Sequence, residues 1–262
     1  MISSKFFNVT AKPYIDPDEQ HDGNITDTQI LADWTEFEIP RGAAKLVGIT
    51  VLYRGKEGED VTPTDFEIIW AKGNPDGTAP TSLGAVAGAV GAPAAGSPPW
   101  FNLIQGKTYI DASIMTNDGD LTYLNILSVP EGQVEIVDNK AVHSYPGNLV
   151  LQGEPDSGSN VGYDKLYCAL IAKATHNWAT TLDINGTMST SSPVLTVDTI
   201  DANLYFAPGD VLYDEDNLLL GTVKSVDSAT QITMEDNLAN ASSDDKKVYN
   251  GSPITLVLSF ER

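Results

Sequence analysis

The sequence lacks most of the residues from which catalytic and metal sites are built. It contains one cysteine, Cys168, and three scattered histidines in 262 residues. A single cysteine excludes a disulfide within the chain, and a structural zinc site needs four Cys or His ligands close together. The sequence also has no Gly-x-Ser-x-Gly nucleophile elbow and no phosphate-binding P-loop motif. We therefore expect a protein that is not an enzyme and that requires no cofactor.

Basic residues are scarce as well. Lys and Arg number 15 against 36 Asp and Glu, which gives a formal net charge of −21. Such a surface repels the phosphates of nucleic acids and the anionic surfaces of membranes. The N-terminus has no apolar run of signal-peptide length, and no stretch is apolar enough to span a membrane. The sequence thus predicts production in a cytoplasm, with no nucleic-acid or membrane partner.

Short strand patterns are what the sequence does contain. Hydrophobic residues make up 41% of the chain, which is enough for a sizeable core. Apolar residues alternate in short runs that are separated by Gly, Pro and Asp turns. Strands are predicted at residues 35–39, 45–53, 66–70, 109–113, 121–129, 134–137 and 148–151. This spacing is typical of an all-β sandwich or jelly roll.

Two further strands are predicted to form the arms of one interrupted hairpin. The second arm, residues 254–262, alternates strictly, with Ile254, Leu256, Leu258 and Phe260 on one side. The first arm, residues 165–175, gathers small and apolar residues on one face, although its alanines leave a helix possible. Cys168 lies on that face, and we expect it to be a small core residue. A chain that ends on such a strand returns to a sheet that it left earlier, so the residues between the arms form an insertion.

This interpretation divides the chain into three parts. Residues 1–33 are polar and form an arm or loop. Residues 34–182 together with 252–262 form a jelly-roll-like β-sandwich. Residues 183–251 form an inserted small β-barrel of SH3-like or OB-like type. The strands predicted in the insertion are 194–200, 211–213, 218–226, 231–234 and 246–250.

A Gly/Ala/Pro-rich segment, residues 73–99, interrupts the sandwich. Small residues dominate it, and a structureless stretch of this length within a domain is usually functional or disordered. Because such an arm cannot bury itself, we expect a neighbouring subunit to hold it. The predicted interface residues are Val86, Val90, Pro98, Pro99 and Trp100. Trp100 is the expected aromatic anchor.

Calcium is the one ion that the acidic residues suggest. Hard cations need several convergent oxygens, and two groups of acids are candidates. The candidate ligands are Asp16, Asp18 and Asp22 near the N-terminus, and Asp214 and Asp216 in a predicted hairpin tip at 214–217. The glycine that follows the first group is misplaced for an EF-hand. The alternative is a solvated acidic surface, with no metal bound.

The predicted barrel resembles a small β module that recurs in virion proteins of tailed bacteriophages. The resemblance is carried by Phe-Ala-Pro-Gly-Asp-Val-Leu-Tyr at 206–213, Leu-Gly-Thr-Val-Lys-Ser-Val at 220–226 and Ala-Thr-Gln-Ile-Thr-Met at 229–234. It covers a small part of the chain. The resemblance implies a role in particle architecture and carries no catalytic residues with it.

On this resemblance we expect a virion structural protein, most specifically a capsid decoration protein that clamps coat subunits. The expected partners are the major capsid protein and further copies of the chain, with a trimer favoured. The N-terminal segment and the 73–99 arm would make the contacts, and the barrel would project outward with its 214–217 tip in solvent. Deleting residues 73–99 is then expected to leave a folded protein that no longer joins the particle.

Two alternatives remain open from the sequence. The first is a neck, tail or baseplate component of the same particle. The second is a carbohydrate-binding β-sandwich that uses calcium and exposed tryptophans, because aromatic faces suit sugar rings. Trp34, Trp70, Trp100 and Trp178 are the candidates for such a platform. Trp70 shares a strand face with apolar residues and is expected to be core, whereas Trp100 and Trp178 are freer.

Overall fold

Nearly all of the regular structure is β-strand, as the sequence predicts. A computed structural model of the chain describes residues 6–54, 63–92, 96–117, 124–129, 134–137, 140–144, 149–155, 162–198, 202 and 205–262. The strands are β1 (Phe6–Ala11), β2 (Asn24–Ile25), β3 (Ile30–Pro40), β4 (Ala44–Arg54), β5 (Phe66–Lys72), β6 (Ile104–Ile110), β7 (Thr116–Asn117), β8 (Leu124–Val129), β9 (Val134–Val137), β10 (Lys140–Ser144), β11 (Leu149–Leu151), β12 (Glu154–Pro155), β13 (Tyr163–Ala172), β14 (His176–Asn177), β15 (Val194–Thr196), β16 (Val211–Asp214), β17 (Leu219–Ser228), β18 (Gln231–Met234), β19 (Val248–Asn250) and β20 (Ile254–Glu261). A short helix, α1, spans Pro17–His21, and 3-10 turns span Trp100–Leu103 and Ala112–Ile114. Within these ranges, none of the helical segments has the length and apolar character needed to cross a membrane.

The first sheet is built around the antiparallel pair β4 and β20. β1 pairs with the other edge of β20, and β8 and β11 lie end to end along the other edge of β4. Alternate residues of β20 point inward, and those side chains are fully buried: Ile254, Leu256, Leu258 and Phe260. The predicted strict alternation of this strand is therefore confirmed.

The second sheet is built around β13. β3 pairs along one edge of β13, β5 pairs along the other, and β6 lies outside β5. Its inner face carries Trp70 and Cys168, both fully buried, so the prediction that they are core residues is confirmed. The inner faces of the two sheets share one hydrophobic core, an arrangement consistent with a β-sandwich.

The predicted interrupted hairpin is wrong. β20 pairs with β1 and β4 in the first sheet, whereas β13 pairs with β3, β5 and β12 in the second. Inward side chains of both strands belong to the same core, but the strands lie in different sheets. Alternation of apolar residues identifies the buried face of a strand, but it carries no information about which strand is its neighbour.

The N-terminal segment is more ordered than an arm or loop. β1 pairs with β20 from Phe6↔Glu261 to Ala11↔Leu256, and the ring of Phe7 stacks on Phe260 with centroids 5.3 Å apart. The signal was present in the sequence, because Phe7, Val9 and Ala11 alternate toward the core. This apolar run is short and the residues around it are polar, so the strand pattern is weak.

Most other predicted strands overlap an observed strand, but several bounds differ, since β6 begins at Ile104, β13 ends at Ala172 and β15 ends at Thr196. The predicted strand 109–113 is wrong at its C-terminal end, because β6 ends at Ile110 and a 3-10 turn follows. The Asp111 carboxylate accepts a hydrogen bond of 2.7 Å from the Ser113 backbone N–H and thereby favours that turn. Parts of three other predicted strands, residues 121–123, 148 and 199–200, lie outside the described residues.

A third sheet follows in the C-terminal half, in the order β15-β18-β17-β16-β19. It encloses its own core, whose fully buried members include Leu195, Leu212, Leu220, Val223 and Ile232. The turn that precedes β16 has the sequence Pro-Gly-Asp at residues 208–210. Gly209 adopts a positive φ of 87° there, and the Asp210 carboxylate accepts a 2.8 Å hydrogen bond from the Ala207 N–H. We call this sheet the C-terminal sheet.

Residues 12–21, which we call the clasp, fasten the C-terminal sheet to the sandwich. The Ile15 N–H donates to the Gly251 carbonyl at 2.9 Å. The Gln20 side-chain amide donates to the Ile15 and Asn250 carbonyls at 2.8 and 3.0 Å. Arg54, at the end of β4, forms an ion pair with Asp210 of the C-terminal sheet. The end of the sandwich that carries Arg54 is thus the joint, and the opposite end, where β4 and β13 begin, is the distal end.

Candidate functional site

The Gly/Ala/Pro arm lies on its own chain. Leu83 is 1% exposed and packs with Ile69 and Ile171 on the outer face of the second sheet. Backbone hydrogen bonds of 2.8 and 2.9 Å join Ala87 and Gly88 to Ile30. The expectation that the arm cannot bury itself is therefore wrong. The outer face of the second sheet is apolar and needs a cover, and small residues let the arm lie close to it.

One glycine shows how closely the arm approaches the sheet. Gly84 has a φ of +140°, and a Cβ at this position would meet the Ile30 side chain at 3.2 Å and the Ala89 carbonyl at 3.3 Å. Nearby, the Asp33 carboxylate accepts a 3.0 Å hydrogen bond from the Leu83 N–H. The Trp34 indole N–H donates to the Thr81 carbonyl at 2.9 Å. The sequence of the arm is thus matched to one position on its own sheet.

The five predicted interface residues do not form one surface. Val90 and Trp100 line the same groove, with Val90 36% exposed. Val86 is half-buried and packs toward the main core. The Pro98 carbonyl accepts a hydrogen bond from the Thr81 hydroxyl, and the Pro99 carbonyl accepts one from the Asn102 N–H. Val86 therefore packs the arm onto its own chain, whereas the bonds of Pro98 and Pro99 lie within the arm and the turn that follows it.

The groove between the arm and the second sheet, which we call the arm groove, has a volume of about 350 Å³. Ile69 and Ile171 form its apolar floor, and Val90 and Trp100 form its sides. Its rim carries an ion pair between Lys107 and Glu67, with 2.6 Å between Nζ and Oε1. Phe101, 55% exposed, packs edge-on against Trp100 at 5.9 Å between centroids. An apolar floor with a charged rim and aromatic neighbours suits contact with another protein.

A larger and more polar cleft opens at the distal end of the sandwich, and we call it the distal cleft. Its volume is about 730 Å³. Five separate chain segments meet there: the β3–β4 turn with Arg41, the end of β5 with Lys72, the start of β6 with Gln105, the β11–β12 link with Gln152, and the start of β13 with Asp164. The distal cleft shares no lining residue with the arm groove.

Asp164 is the unusual residue of the distal cleft. Its side chain is buried, with 3% of the residue exposed. Its Oδ2 accepts a 2.8 Å hydrogen bond from the Gly42 N–H, whereas its buried Oδ1 has no hydrogen-bond partner among the residues that the structure describes. A buried polar atom without a partner costs free energy and calls for an explanation.

The wall beside Asp164 is held rigidly. The Gln105 side-chain amide donates to the Gln152 carbonyl and accepts a 2.9 Å hydrogen bond from the Gln152 N–H. The next residue, Gly153, leaves no room for a side chain. A Cβ there would lie 2.5 Å from the Lys165 carbonyl and 2.7 Å from the Asp164 Cβ. The cleft is therefore preformed.

The N-terminal calcium candidates make a helix start instead of an evident ion site. Asp16 caps helix α1 by accepting a 3.1 Å hydrogen bond from the Asp18 N–H, and burial raises the pKa of Asp16. Across the described ranges, no three His, Cys, Asp or Glu side chains are placed together to hold a metal ion. Asp16, Asp18 and Asp22 therefore do not form a group that could hold one metal ion.

The predicted acidic tip is a hairpin turn that stands only partly in solvent, because Asp216 is exposed and Asp214 is buried. Asp214 is 1% exposed; its Oδ1 accepts from the Asp216 and Leu218 N–H groups, and its Oδ2 accepts a 2.7 Å bond from Ser242. Burial raises the pKa of Glu215, but hydrogen bonds from Lys246 and from the Lys247 N–H outweigh it and lower that pKa. The expectation of an exposed tip is thus wrong for Asp214, since its side chain organises the turn.

Sequence reasoning missed a buried histidine. His176 is fully buried, and its Nδ1 lies 2.9 Å from the Tyr53 hydroxyl and 2.8 Å from the Thr64 hydroxyl. Its Nε2 lies 3.0 Å from the Asp65 carbonyl, and its ring stacks on Trp178 at 5.4 Å between centroids. Burial lowers the pKa of His176 to about 4. Trp178 is itself 4% exposed, so the expectation that it is free to bind a sugar is wrong.

Comparisons of the chain with protein-family models, with curated proteins and with solved structures found no match. Two surfaces remain as functional candidates. The arm groove is apolar and suits a protein partner, whereas the distal cleft is polar and suits a small hydrogen-bonding ligand.

Proposed function

We propose that the chain is a non-enzymatic structural protein of a tailed-phage virion, made in the host cytoplasm and incorporated into the particle. In its most specific form it is a capsid decoration protein that stabilises the head lattice by binding the major capsid protein. The proposal is supported by the stretch 206–234, which resembles a recurrent virion module and supplies β16, β17 and β18. The arm groove supplies a surface on which a coat subunit can dock.

We also propose the finer architecture of a jelly-roll-like sandwich joined to a small closed barrel. Support for closure comes from residues 183–184, which lie between the two edge strands of the C-terminal sheet. Ile184 forms a bridge with Val197, just after β15, and Asp183 forms a bridge with Lys247, just before β19. Closure of this kind removes exposed strand edges, which otherwise invite aggregation.

The arm groove is the observation that carries the docking proposal. The arm is already fixed by backbone hydrogen bonds to Ile30 and by the bond from Leu83 to Asp33. A partner therefore binds without having to order the arm, which lowers the entropic cost of association. Trp100 and Phe101 add large aromatic surface at the groove, and such residues often dominate interface energetics. The predicted occupant is an apolar side chain of a coat subunit.

Copy number tests the location on the particle. Quantitative mass spectrometry of purified particles from the source would compare this chain with the major capsid protein. A near-stoichiometric ratio supports decoration of the head, with a trimer as the proposed symmetric unit. A small ratio that matches tail symmetry would assign the chain to the neck, tail or baseplate. Absence of the chain from particles would overturn the proposal.

A pair of valine variants tests the docking surface. Val90→Asp places a charge in the arm groove, and we expect it to weaken binding to undecorated particles by about tenfold or more, as for a desolvated interface charge. Val150→Asp makes the same change at an exposed valine of the distal end and serves as the matched control. Cosedimentation with undecorated particles measures both. Equal binding by the two variants would remove the arm groove from the proposal.

A further inference from the structure

We propose that the distal cleft binds an acidic saccharide, a ligand that combines neighbouring hydroxyl groups with a carboxylate. This activity goes beyond the proposed function and does not rest on it, because the distal cleft and the arm groove have no lining residue in common. The site also differs from the platform predicted from the sequence, since none of the four tryptophans lines it.

Asp164 supplies the first part of the argument. Its carboxylate is almost completely buried in the cleft wall, with Oδ2 held by the Gly42 N–H and Oδ1 lacking a donor. Oδ1 is itself covered in this structure, so a rotation of the Asp164 side chain must bring it to the cleft, where a ligand that donates a hydrogen bond to it relieves this deficit. Sugar hydroxyls are compact donors that also accept hydrogen bonds, so they suit a carboxylate whose surroundings are polar.

Positive charge supplies the second part. The chain carries a net charge of −21, and the distal end of the sandwich holds side chains of both signs. Lys165 is paired there with Glu36 at 3.1 Å, and Lys45 lies opposite Glu261 in the register of β4 and β20. Arg41 and Lys72 line the cleft itself, and the Arg41 guanidinium is exposed and makes no hydrogen bond or ion pair with any described residue. A guanidinium matches a carboxylate with two parallel hydrogen bonds, so an acidic group on the ligand would complete the site.

The shape of the cleft agrees with a saccharide. A volume of about 730 Å³ falls within the range of small-molecule sites, about 300–1,000 Å³, and accommodates more than one sugar ring. Val150 and Leu103 offer apolar patches for the C–H face of a ring. The mutual hydrogen bonds of Gln105 and the Gln152 backbone keep one wall fixed, so binding requires little ordering.

The ligand class is tested by isothermal titration calorimetry at low salt with short oligomers of galacturonate, mannuronate and glucuronate. Maltotriose, which has hydroxyls but no carboxylate, and tripolyphosphate, which has charge but no hydroxyls, are the comparison ligands. We expect at least one oligouronate to bind about tenfold or more tightly than either comparison ligand, as expected when both parts of the site contribute. Absence of binding by all three oligouronates, or equal binding by maltotriose or by tripolyphosphate, would overturn the proposal.

Two variants locate the site. In Asp164→Asn, the amide oxygen keeps the hydrogen bond from Gly42 while an NH₂ group replaces the unpartnered oxygen. We expect about tenfold weaker oligouronate binding, because the acceptor is lost with little change in shape. Arg41→Gln is expected to weaken binding to a similar degree, about tenfold, through loss of the bidentate contact.

Lys224→Gln is the matched control for Arg41→Gln, since it removes the same charge from an exposed position on β17. We expect its affinity to equal that of the unchanged protein. Far-UV circular dichroism and thermal unfolding verify that each variant is folded. If folded Asp164→Asn and Arg41→Gln proteins bind the oligouronate as the unchanged protein does, the ligand is not held in the distal cleft. Val90→Asp should retain oligouronate binding, which separates this activity from particle docking.

Discussion

His176 illustrates how one side chain can tie two sheets together. Its Nδ1, which has a single lone pair, lies within hydrogen-bond distance of two hydroxyl donors, Tyr53 of the first sheet and Thr64, which precedes the second. Its Nε2 donates to the Asp65 carbonyl. The neutral imidazole thus satisfies all of its hydrogen-bonding capacity, and burial lowers the pKa of His176 to about 4.

The lowered pKa predicts a loss of stability in mild acid. The unfolded chain binds a proton at His176 below its ordinary pKa of 6.5, whereas the folded chain does so only near pH 4. Between these values the unfolded state holds more protons, so the free energy of unfolding falls as the pH falls. At pH 4 the loss of unfolding free energy from this group approaches about 3 kcal/mol, because each unit of pKa shift corresponds to about 1.4 kcal/mol. Urea unfolding at several pH values between 4 and 7 measures it.

A comparison with His176→Gln isolates this contribution from that of the carboxylates. The variant is expected to be less stable at pH 7, because the buried hydrogen bonds are disturbed, but to show a shallower pH dependence between 4 and 6.5. His21→Gln is the control, because His21 lies in the clasp and is more exposed. Parallel pH profiles for the unchanged protein and His176→Gln would contradict the assignment.

Among the elements, the arm is the one whose role the structure changes most. Composition suggested a segment that needs a second subunit to hold it, but the arm covers an apolar face of its own chain. Its deletion is now expected to expose Ile69, Ala169 and Ile171 and to cost folding, contrary to the expectation from sequence. Leu83 is the residue that anchors it to this face.

A pair of truncations tests this role of the arm. Leu83→Ala should lower the free energy of unfolding by about 2–4 kcal/mol, because it empties a fully buried site. Val90→Ala should change it by less than about 0.5 kcal/mol, since Val90 lies at the partly exposed side of the arm groove. Urea unfolding of both variants gives the two values. Equal stabilities would mean that the arm contributes nothing to the fold.

The strands show which features of this fold the sequence predicts and which it does not. Alternation located β4, β17 and β20, because each of these strands has one buried face. It could not assign partners, so β13 and β20 were paired although they lie in opposite sheets. Pairing depends on which segments the whole chain brings together, and a local pattern holds no record of that.

The candidate sites follow the same rule. Val90 and Trp100 were predicted from their apolar character, and they do lie together in the arm groove. The distal cleft was not predicted, because it is assembled from five segments spread from Arg41 to Asp164. The available signal was an aspartate near the start of β13, two residues before the apolar run that begins at Leu166. Its meaning depends on the Gly42 N–H and on the missing donor at Oδ1, which only the tertiary structure shows.

At the scale of the whole molecule, the described chain has two main cores and one joint. The sandwich core and the core of the C-terminal sheet form separate hydrophobic clusters. The clasp and the Arg54–Asp210 ion pair connect them. Asp210 is 6% exposed, so its charge depends on Arg54 for compensation within a poorly solvated site. The cooperativity of unfolding therefore depends on the contacts of this joint.

This arrangement predicts that Arg54→Leu uncouples the two cores. The variant leaves the Asp210 carboxylate buried without its cation, which typically costs about 3–5 kcal/mol. Because this cost falls on the joint and the C-terminal sheet, we expect that sheet to unfold at a lower temperature than the sandwich. Differential scanning calorimetry should then show two transitions in place of one.

The double variant Arg54→Leu/Asp210→Asn decides between loss of charge pairing and general damage at the joint. Asn retains an acceptor for the Ala207 N–H, which keeps the turn at Gly209, and it removes the uncompensated charge. We expect the double variant to recover at least half of the stability that Arg54→Leu loses. If it recovers none, the ion pair does not couple the cores, and the other contacts of the joint, among them those of Ile15 and Gln20, hold the C-terminal sheet on the sandwich.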